Sequence, residues 1–167
     1  MSQTFFGKYR GIVLNNIDPE GRGRILAQVP DVKQLIPTTW AEACLPFVGM
    51  QNGMFVVPMI GSGVWVEFEH GNPDYPIWTG GWYATIAEVP VLGQTTPGVQ
   101  AFCVQTVLQN TFLLSDMPGI GGVLLKTSTG AMIKMDDTGI IIQNGKGASI
   151  TMNGPTVTIN LGAVVIT

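Results

Sequence analysis

VLLKTSTGAMIKMDDTGIIIQNGKGASITMNGPTVTINLGAVVIT, residues 123–167, decides the fold of this chain. Short runs of β-forming residues recur in it, separated by Asp-Thr-Gly, Asn-Gly or Asn-Gly-Pro turns; they cover residues 131–135, 139–143, 148–152 and 156–161. Within a run the residues alternate, as where Ile150 and Met152 are apolar while Ser149 and Thr151 are polar. This period of two predicts strands with one buried face.

The apolar face of residues 123–167 has nothing within the segment to pack against. About 45 residues of strand with no helix cannot enclose a core of their own. The regular turns suggest that the face meets copies of itself. The segment is therefore predicted to be one strip of an intertwined β-helical needle shared by several chains, with the upstream residues as its base.

The composition favours a packed all-β protein with surfaces buried between subunits. Hydrophobic residues make up 46% of the 167 residues and charged residues 11%, with 22 Gly and 11 Pro. So little charge would leave the surface of a monomer poorly solvated, and burial between subunits explains it more simply. No convincing helix is found in the sequence.

Charge and hydropathy exclude two classes of protein. The formal net charge is −3, which argues against a general nucleic-acid binder, since such proteins neutralise phosphates. No apolar run reaches membrane-spanning length. The N-terminus lacks the apolar core of a secretory signal, so synthesis in the cytoplasm without a signal peptide is expected.

Cysteine and histidine are too few for a metal or cofactor site. Cys44 and Cys103 lie far apart in the sequence, and the expectation is two reduced, buried thiols, with a disulfide as the alternative. A single histidine, His70, leaves too few ligands for a metal. We therefore expect no cofactor.

The upstream chain contains strand patterns with long early turns and short late ones. Clear runs cover residues 6–14, 24–29, 64–69 and 77–83, whereas the segment WAEACLP, residues 40–46, could be a strand or a turn. Five strands in roughly 80 residues suit a small closed barrel of the OB type. Residues 84–122 contain several prolines and are predicted to be a linker and the start of the spike.

Three motifs resemble one family. They are YRGIV at residues 9–13, VWVEFEHGNPDYPIWTGGWY at 64–83 and KGASITMNGPTVTIN at 146–160. Their order is similar to that of the central spike and baseplate hub family of contractile injection systems, which includes phage baseplate assembly type V spikes and valine-glycine repeat proteins of type VI secretion. The resemblance implies an OB barrel over residues 1–83, a linker over 84–122 and a trimeric β-helix needle over 123–167.

The resemblance also implies a function and partners. The chain would form a homotrimer that caps the inner tube at the baseplate and pierces the target envelope mechanically, without binding the membrane, when the sheath contracts. Other family members end in a His-x-His apex, which this tail lacks. The resemblance therefore implies that a separate tip protein of the Pro-Ala-Ala-Arg (PAAR) type docks at Val164, Val165, Ile166 and Thr167. Such a chain would belong to a phage tail or a tail-like particle.

A basic cluster near the N-terminus supports an alternative function. Arg10, Arg22 and Arg24, with Lys8, could grip single-stranded nucleic acid on an OB barrel, helped by stacking on Tyr9 or Trp65. Contact with a hub protein, or solvation, is favoured, and no nucleic-acid partner is expected. Other polar groups suit turns better than catalysis, namely His70, Asp136, Asp137 and the Gly61-Ser62-Gly63 run. A non-enzymatic protein is predicted.

Overall fold

The computed structural model describes residues 3–33, 35–119 and 121–166. The chain divides into two compact units, Met1–Ile86 and Ala87–Thr167. Both are built from strands, as predicted, and the one α-helix among the described residues is the single turn α1, Pro30–Lys33. None of the described helices is long and apolar enough to cross a membrane.

The first unit is a five-stranded barrel with a small hairpin. Its strands are β1 Tyr9–Asn15, β2 Leu26–Gln28, β3 Glu42–Ala43, β4 Val48–Gly49, β5 Asn52–Gly53, β6 Gly63–Phe68 and β7 Pro76–Trp82. The main sheet has the order β2-β1-β6-β7-β3, in which only the short β3–β7 pairing is parallel. The strands β4 and β5 form a separate two-stranded hairpin.

The barrel closes between β2 and β3. The Ala41 N–H donates to the Ile25 carbonyl at 2.8 Å, and the Ile25 N–H donates to the Ala41 carbonyl at 3.2 Å. The ends of the five-stranded sheet are thereby joined, which is the closed Greek-key arrangement of an OB fold. The segment that the sequence left undecided, residues 40–46, supplies β3 and the closing bridge.

Alternation along the strands fills the barrel. Val64, Val66 and Phe68 of β6 point inward and are buried, whereas the intervening Trp65 and Glu67 are partly exposed. The rest of the core shares this inward orientation and consists of Val13, Ile25, Ala27, Val29, Ala41 and Trp78. The indole N–H of Trp78 donates to the Gly23 carbonyl at 3.0 Å, so this large side chain is buried without an unsatisfied donor.

Replacing Ile25 with alanine is expected to destabilise the barrel by about 2–5 kcal/mol, because a fully buried side chain is truncated beside the closing bridge. All four tryptophans lie in this unit, so their fluorescence during urea unfolding measures the barrel alone. The matched control is Ile17→Ala, since Ile17 is 76% exposed and should change stability by less than about 0.5 kcal/mol. Equal effects of the two variants would contradict this description of the core.

The second unit is one antiparallel sheet in which each strand pairs with the next. Its strands are β8 Ala101–Gln105, β9 Thr111–Ser115, β10 Gly122–Lys126, β11 Ala131–Asp136, β12 Gly139–Asn144, β13 Ser149–Asn153, β14 Thr156–Ile159 and β15 Val164–Ile166. The sheet therefore begins at Ala101, within the segment that the sequence assigned to a linker and the start of the spike. The predicted domain boundaries, at residue 83 between barrel and linker and at residue 123 between linker and needle, stay predictions.

The prediction that the last strand continues to Leu161, with Leu161 among its apolar residues, is wrong. The strand β14 ends at Ile159, and Leu161 adopts a left-handed conformation (φ 55°) in the 3-10 turn Asn160–Gly162. Its side chain is 94% exposed. The chain must reverse here so that Val164 can pair with Ile159, and this reversal takes Leu161 out of the alternation.

Candidate functional site: a subunit interface

One face of the second sheet is apolar across all eight strands. Directly paired residues in an antiparallel sheet project from the same face. The register therefore aligns a first column, which consists of Val104, Phe112, Leu125, Ile133, Ile142, Ile150, Ile159 and Val164. A second column lies two residues along each strand and consists of Phe102, Leu114, Val123, Met135, Ile140, Met152 and Val157.

These two columns, here called the apolar face, are partly open in the single chain. Leu125 is 46% exposed, Ile133 40% and Ile142 39%. A groove of about 530 Å³ follows the first column, and its lining includes Val104 and Phe112 together with polar residues at the adjoining strand ends. A continuous apolar surface of this extent marks an interface, because soluble monomers rarely expose more than a few hundred Å² in one patch.

The opposite face of the same sheet is mixed in character. Its matching column consists of Leu124, Lys134, Ile141, Thr151 and Thr158. Lys134 forms an ion pair with Asp136 at 2.5 Å, and Asp136 also accepts hydrogen bonds from the backbone and hydroxyl of Thr138. Asp136 is thus a turn residue, as predicted. The contrast between the two faces indicates that one face is buried in the assembly and the other is solvated.

The linker covers the upstream part of this mixed face. The 3-10 turn Val91–Gly93 packs against β8 and β9. Gly93 lies against Cys103, and burial raises the pKa of the Cys103 thiol. Both cysteines are free thiols. The expectation that both are buried is wrong for Cys44, which is exposed, and holds only in part for Cys103, which is partly buried.

The predicted tip residues lie at the last strand of the sheet. Val164 ends the first column and is 48% exposed. The backbones of Val165 and Ile166 belong to β15, which is an edge strand in the described sheet. Their side chains, and the whole of Thr167, lie outside the described residues. Three of the four predicted docking residues, Val164, Val165 and Ile166, therefore lie on an open strand edge of the described sheet.

The predicted hub-contact arginines are not gathered into one free basic patch. Arg22 makes a two-pronged ion pair with Glu42, at 2.8 and 2.9 Å, and a further one with Glu20. Arg24 pairs with Asp18 at 2.7 Å. Sequence reasoning missed these partners, although Asp18 and Glu20 stand in the same turn.

Arg10 is engaged differently from the other two arginines. It is exposed and lies over two half-buried rings, with its guanidinium carbon 4.9 Å from the centroid of Trp82 and 5.6 Å from that of Trp65. Such stacking holds a cation in a fixed position while leaving it accessible. Lys8, two residues before Arg10 in the chain, pairs with Glu67 at 3.0 Å. Among the described side chains of the barrel, Arg10 is thus an exposed cation held on an aromatic platform, whereas Arg24, which lies 5.6 Å from the centroid of Trp40, is buried.

Asp18 should make the stability of the barrel depend on pH. Its carboxylate accepts from the Arg24 guanidinium and from the N–H groups of Glu20 and Arg22. The Arg24 hydrogen bond, followed by these backbone donors, holds the pKa of Asp18 well below its usual range, against the raising effect of burial. A carboxyl whose pKa is lowered on folding stabilises fully above its unfolded pKa of about 3.9, and the stabilisation is lost below it.

We therefore expect the thermal midpoint of the barrel to fall between pH 4 and pH 2. In Asp18→Asn the midpoint should be lower at pH 7 and should depend less on acid. Tryptophan fluorescence measures the barrel separately from Asp136, whose pKa in the second unit is also lowered, chiefly by Lys134. An unchanged acid slope in the variant would contradict the role given to Asp18.

Comparisons with known proteins agree with both units. The family model described as the type VI secretion system/phage-baseplate injector OB domain matches residues 9–83, from the first residue of β1 to just beyond β7. The model described as the phage baseplate V C-terminal trimerisation domain matches residues 101–165, beginning with β8. A search of curated proteins found no match to the chain.

The two matches follow each other in the expected order and cover most of the chain. They confirm the predicted all-β class, the OB barrel and the trimerisation domain. The apolar face lies in the trimerisation domain, so trimer formation accounts for its exposure in a single chain. The chain therefore belongs to the spike and baseplate hub family of phage tails and type VI secretion systems, as a homotrimeric, spike-type structural protein of a phage-tail-like baseplate.

Proposed function

We propose that the trimer is the central spike of a contractile particle, which caps the inner tube and pierces the target envelope when the sheath contracts. The observation that carries this proposal is the apolar face, whose first column crosses all eight strands and whose second column crosses the seven strands β8–β14. Three such faces turned toward one another form a long dry core in an intertwined β-helix. The mixed faces then remain outside.

The proposed mechanism is mechanical. Motion comes from the sheath, and the chain supplies stiffness and a small cross-section. A load along the stack of strands is resisted by many ladder hydrogen bonds together, and a closed arrangement of three sheets leaves few free edges. Among the described residues, no three His, Cys, Asp or Glu side chains come together as a metal site would require. Both matched family models describe structural domains of an injector baseplate, and from this we infer that the protein acts without catalysis.

Two contacts complete the proposal. A separate tip protein of the PAAR type would dock at Val164, Val165, Ile166 and Thr167, and it would extend the open edge of β15, Val164–Ile166, where backbone donors and acceptors are available for another strand. The hub or inner tube would contact the barrel at Arg10. Arg22 and Arg24 would serve this contact indirectly, since their ion pairs with Glu42 and Asp18 hold the turn that joins β1 to β2.

Binding of single-stranded nucleic acid is the alternative function, and the ion pairs within the barrel argue against it. Binding of single strands needs cations free to neutralise phosphates. Arg22, Arg24 and Lys8 all pair with carboxylates of their own chain. We expect no change in the fluorescence anisotropy of labelled single-stranded DNA at low salt. Salt-dependent binding that is lost in Arg10→Ala would favour the alternative.

The piercing function is tested on particles. Particles assembled with and without this chain would be mixed with target cells, and membrane depolarisation would be compared with the fraction of contracted sheaths seen by electron microscopy. We expect contraction with greatly reduced depolarisation, or failed tube assembly, when the chain is absent. Normal depolarisation by particles lacking the chain would overturn the proposal.

A further inference from the structure

Two consecutive segments of the second unit, residues 122–138 and 139–155, have the same geometry. Gly122 and Gly139 begin them with positive φ angles of 112° and 137°. A methyl group on Gly122 would overlap the Met135 carbonyl oxygen, and one on Gly139 would overlap the Met152 carbonyl oxygen. Both glycines thus make the same close backbone contact, with the residue thirteen positions further on.

The turns and the columns repeat with the same spacing of 17 residues. The Thr127 N–H donates to the Ala131 carbonyl at 2.9 Å, and the Asn144 N–H donates to the Ala148 carbonyl at 3.1 Å. The equivalent column pairs are Leu125 and Ile142, Ile133 and Ile150, Val123 and Ile140, and Met135 and Met152. The close glycine contacts, the turn hydrogen bonds and the column residues of one segment therefore each have a counterpart in the other, although the turns differ at Gly145 and Gly154, whose counterparts Ser128 and Asp137 lack a positive φ.

A third segment keeps the spacing of the columns, but it begins with Thr156 in place of the glycine and its turn is shorter. Val157 and Ile159 continue the two columns at the same spacing. In the complete segments, the first-column residues paired within a hairpin are eight positions apart, as in Ile142 and Ile150, whereas Ile159 and Val164 are only five apart. Two consecutive left-handed residues, Asn160 (φ 49°) and Leu161 (φ 55°), make this tighter turn.

We propose that the sheet is built from 17-residue hairpin modules, so that its length is set by the number of modules, and that the third copy departs from the module through its shorter turn. Each module adds two strands, or about 10 Å of stack, since neighbouring strands lie about 4.8 Å apart. Both ends of a module offer the same register, and a module can therefore be removed or repeated without moving any side chain to the wrong face. This inference does not depend on what the spike pierces.

Deletion of residues 140–156 from the full chain tests the proposal. Gly139 keeps its place in the turn and is then followed by Val157, which takes the place of Ile140 opposite Met135, while Ile159 takes that of Ile142 opposite Ile133. We expect a trimer by sedimentation equilibrium, with a stack about 10 Å shorter by cryo-electron microscopy. The matched control is deletion of residues 140–155, one residue fewer.

The control deletion should fail, because a shift of one residue turns every side chain to the other face. Thr156 and Thr158 would then enter the columns in place of Val157 and Ile159, and the trimer should be lost. A second variant that repeats residues 139–155 keeps all native pairs and should lengthen the stack by about 10 Å. The proposal is overturned if the two deletions behave alike, or if the repeated variant leaves the stack length unchanged or loses the trimer.

Discussion

Ile142→Asp is expected to abolish the trimer at micromolar concentration. Ile142 lies in the middle of the first column, so three carboxylates would enter one apolar interface without partners. Burying an unpaired charge costs several kcal/mol, and each trimer would contain three. Sedimentation equilibrium should then report the mass of one chain, 17.8 kDa, in place of three times that value. Tryptophan fluorescence should remain native, because the barrel is untouched.

The neighbouring residue offers a matched control. Ile141 is the same residue type on the same strand, but it belongs to the opposite column, between Lys134 and Thr151. A carboxylate there faces a lysine and solvent, so Ile141→Asp should remain a trimer. If Ile141→Asp dissociates and Ile142→Asp does not, the assignment of the two faces is reversed.

Gly139→Ala should unfold the second unit and spare the barrel. The residue has a φ of +137°, and its added methyl group would overlap the Met152 carbonyl oxygen on the neighbouring strand. Neither backbone can move without breaking the β12–β13 ladder. We expect a loss of more than about 4 kcal/mol, the range of exceptional single substitutions. The measurement is far-UV circular dichroism during heating, compared with tryptophan fluorescence.

Gly147→Ala is the control that separates the cost of the steric overlap at Gly139 from the cost of a positive φ angle. Gly147 also has a positive φ, +103°, but a methyl group there would meet open space. Its substitution should therefore cost only the left-handed strain of about 1–2 kcal/mol. If both alanine variants lose the same stability, the close contact at Gly139 contributes nothing.

The barrel could be predicted from the sequence because its information is local. In β6 the apolar residues Val64, Val66 and Phe68 alternate with Trp65 and Glu67, and alternation alone states which side is buried. The closing strand could not be found in this way. β3 pairs only at Glu42 and Ala43, and its place depends on a bridge to Ile25, which is distant in the sequence.

The state of the arginines also depended on the tertiary structure. The sequence predicts that Arg10, Arg22 and Arg24 form a basic cluster, because they lie close together along the chain. Folding brings Glu42 to Arg22 and leaves Arg10 stacked on Trp65 and Trp82. Arg22 and Arg24 are therefore paired with carboxylates, whereas Arg10 stays exposed. The sequence does not show this, because ion pairs depend on distances in the folded chain.

The sequence by itself determined that residues 123–167 form strands with one apolar face and that this face needs copies of the chain. Period-two alternation is sufficient for this conclusion, since it fixes which residues share a face. Only the tertiary structure decided where the sheet begins, at Ala101, and which residues stand opposite one another. Register depends on hydrogen bonds between strands and on turn geometry, and a shift of one residue reverses both faces. The two continuous columns and the 17-residue module therefore became visible only once the strands were paired.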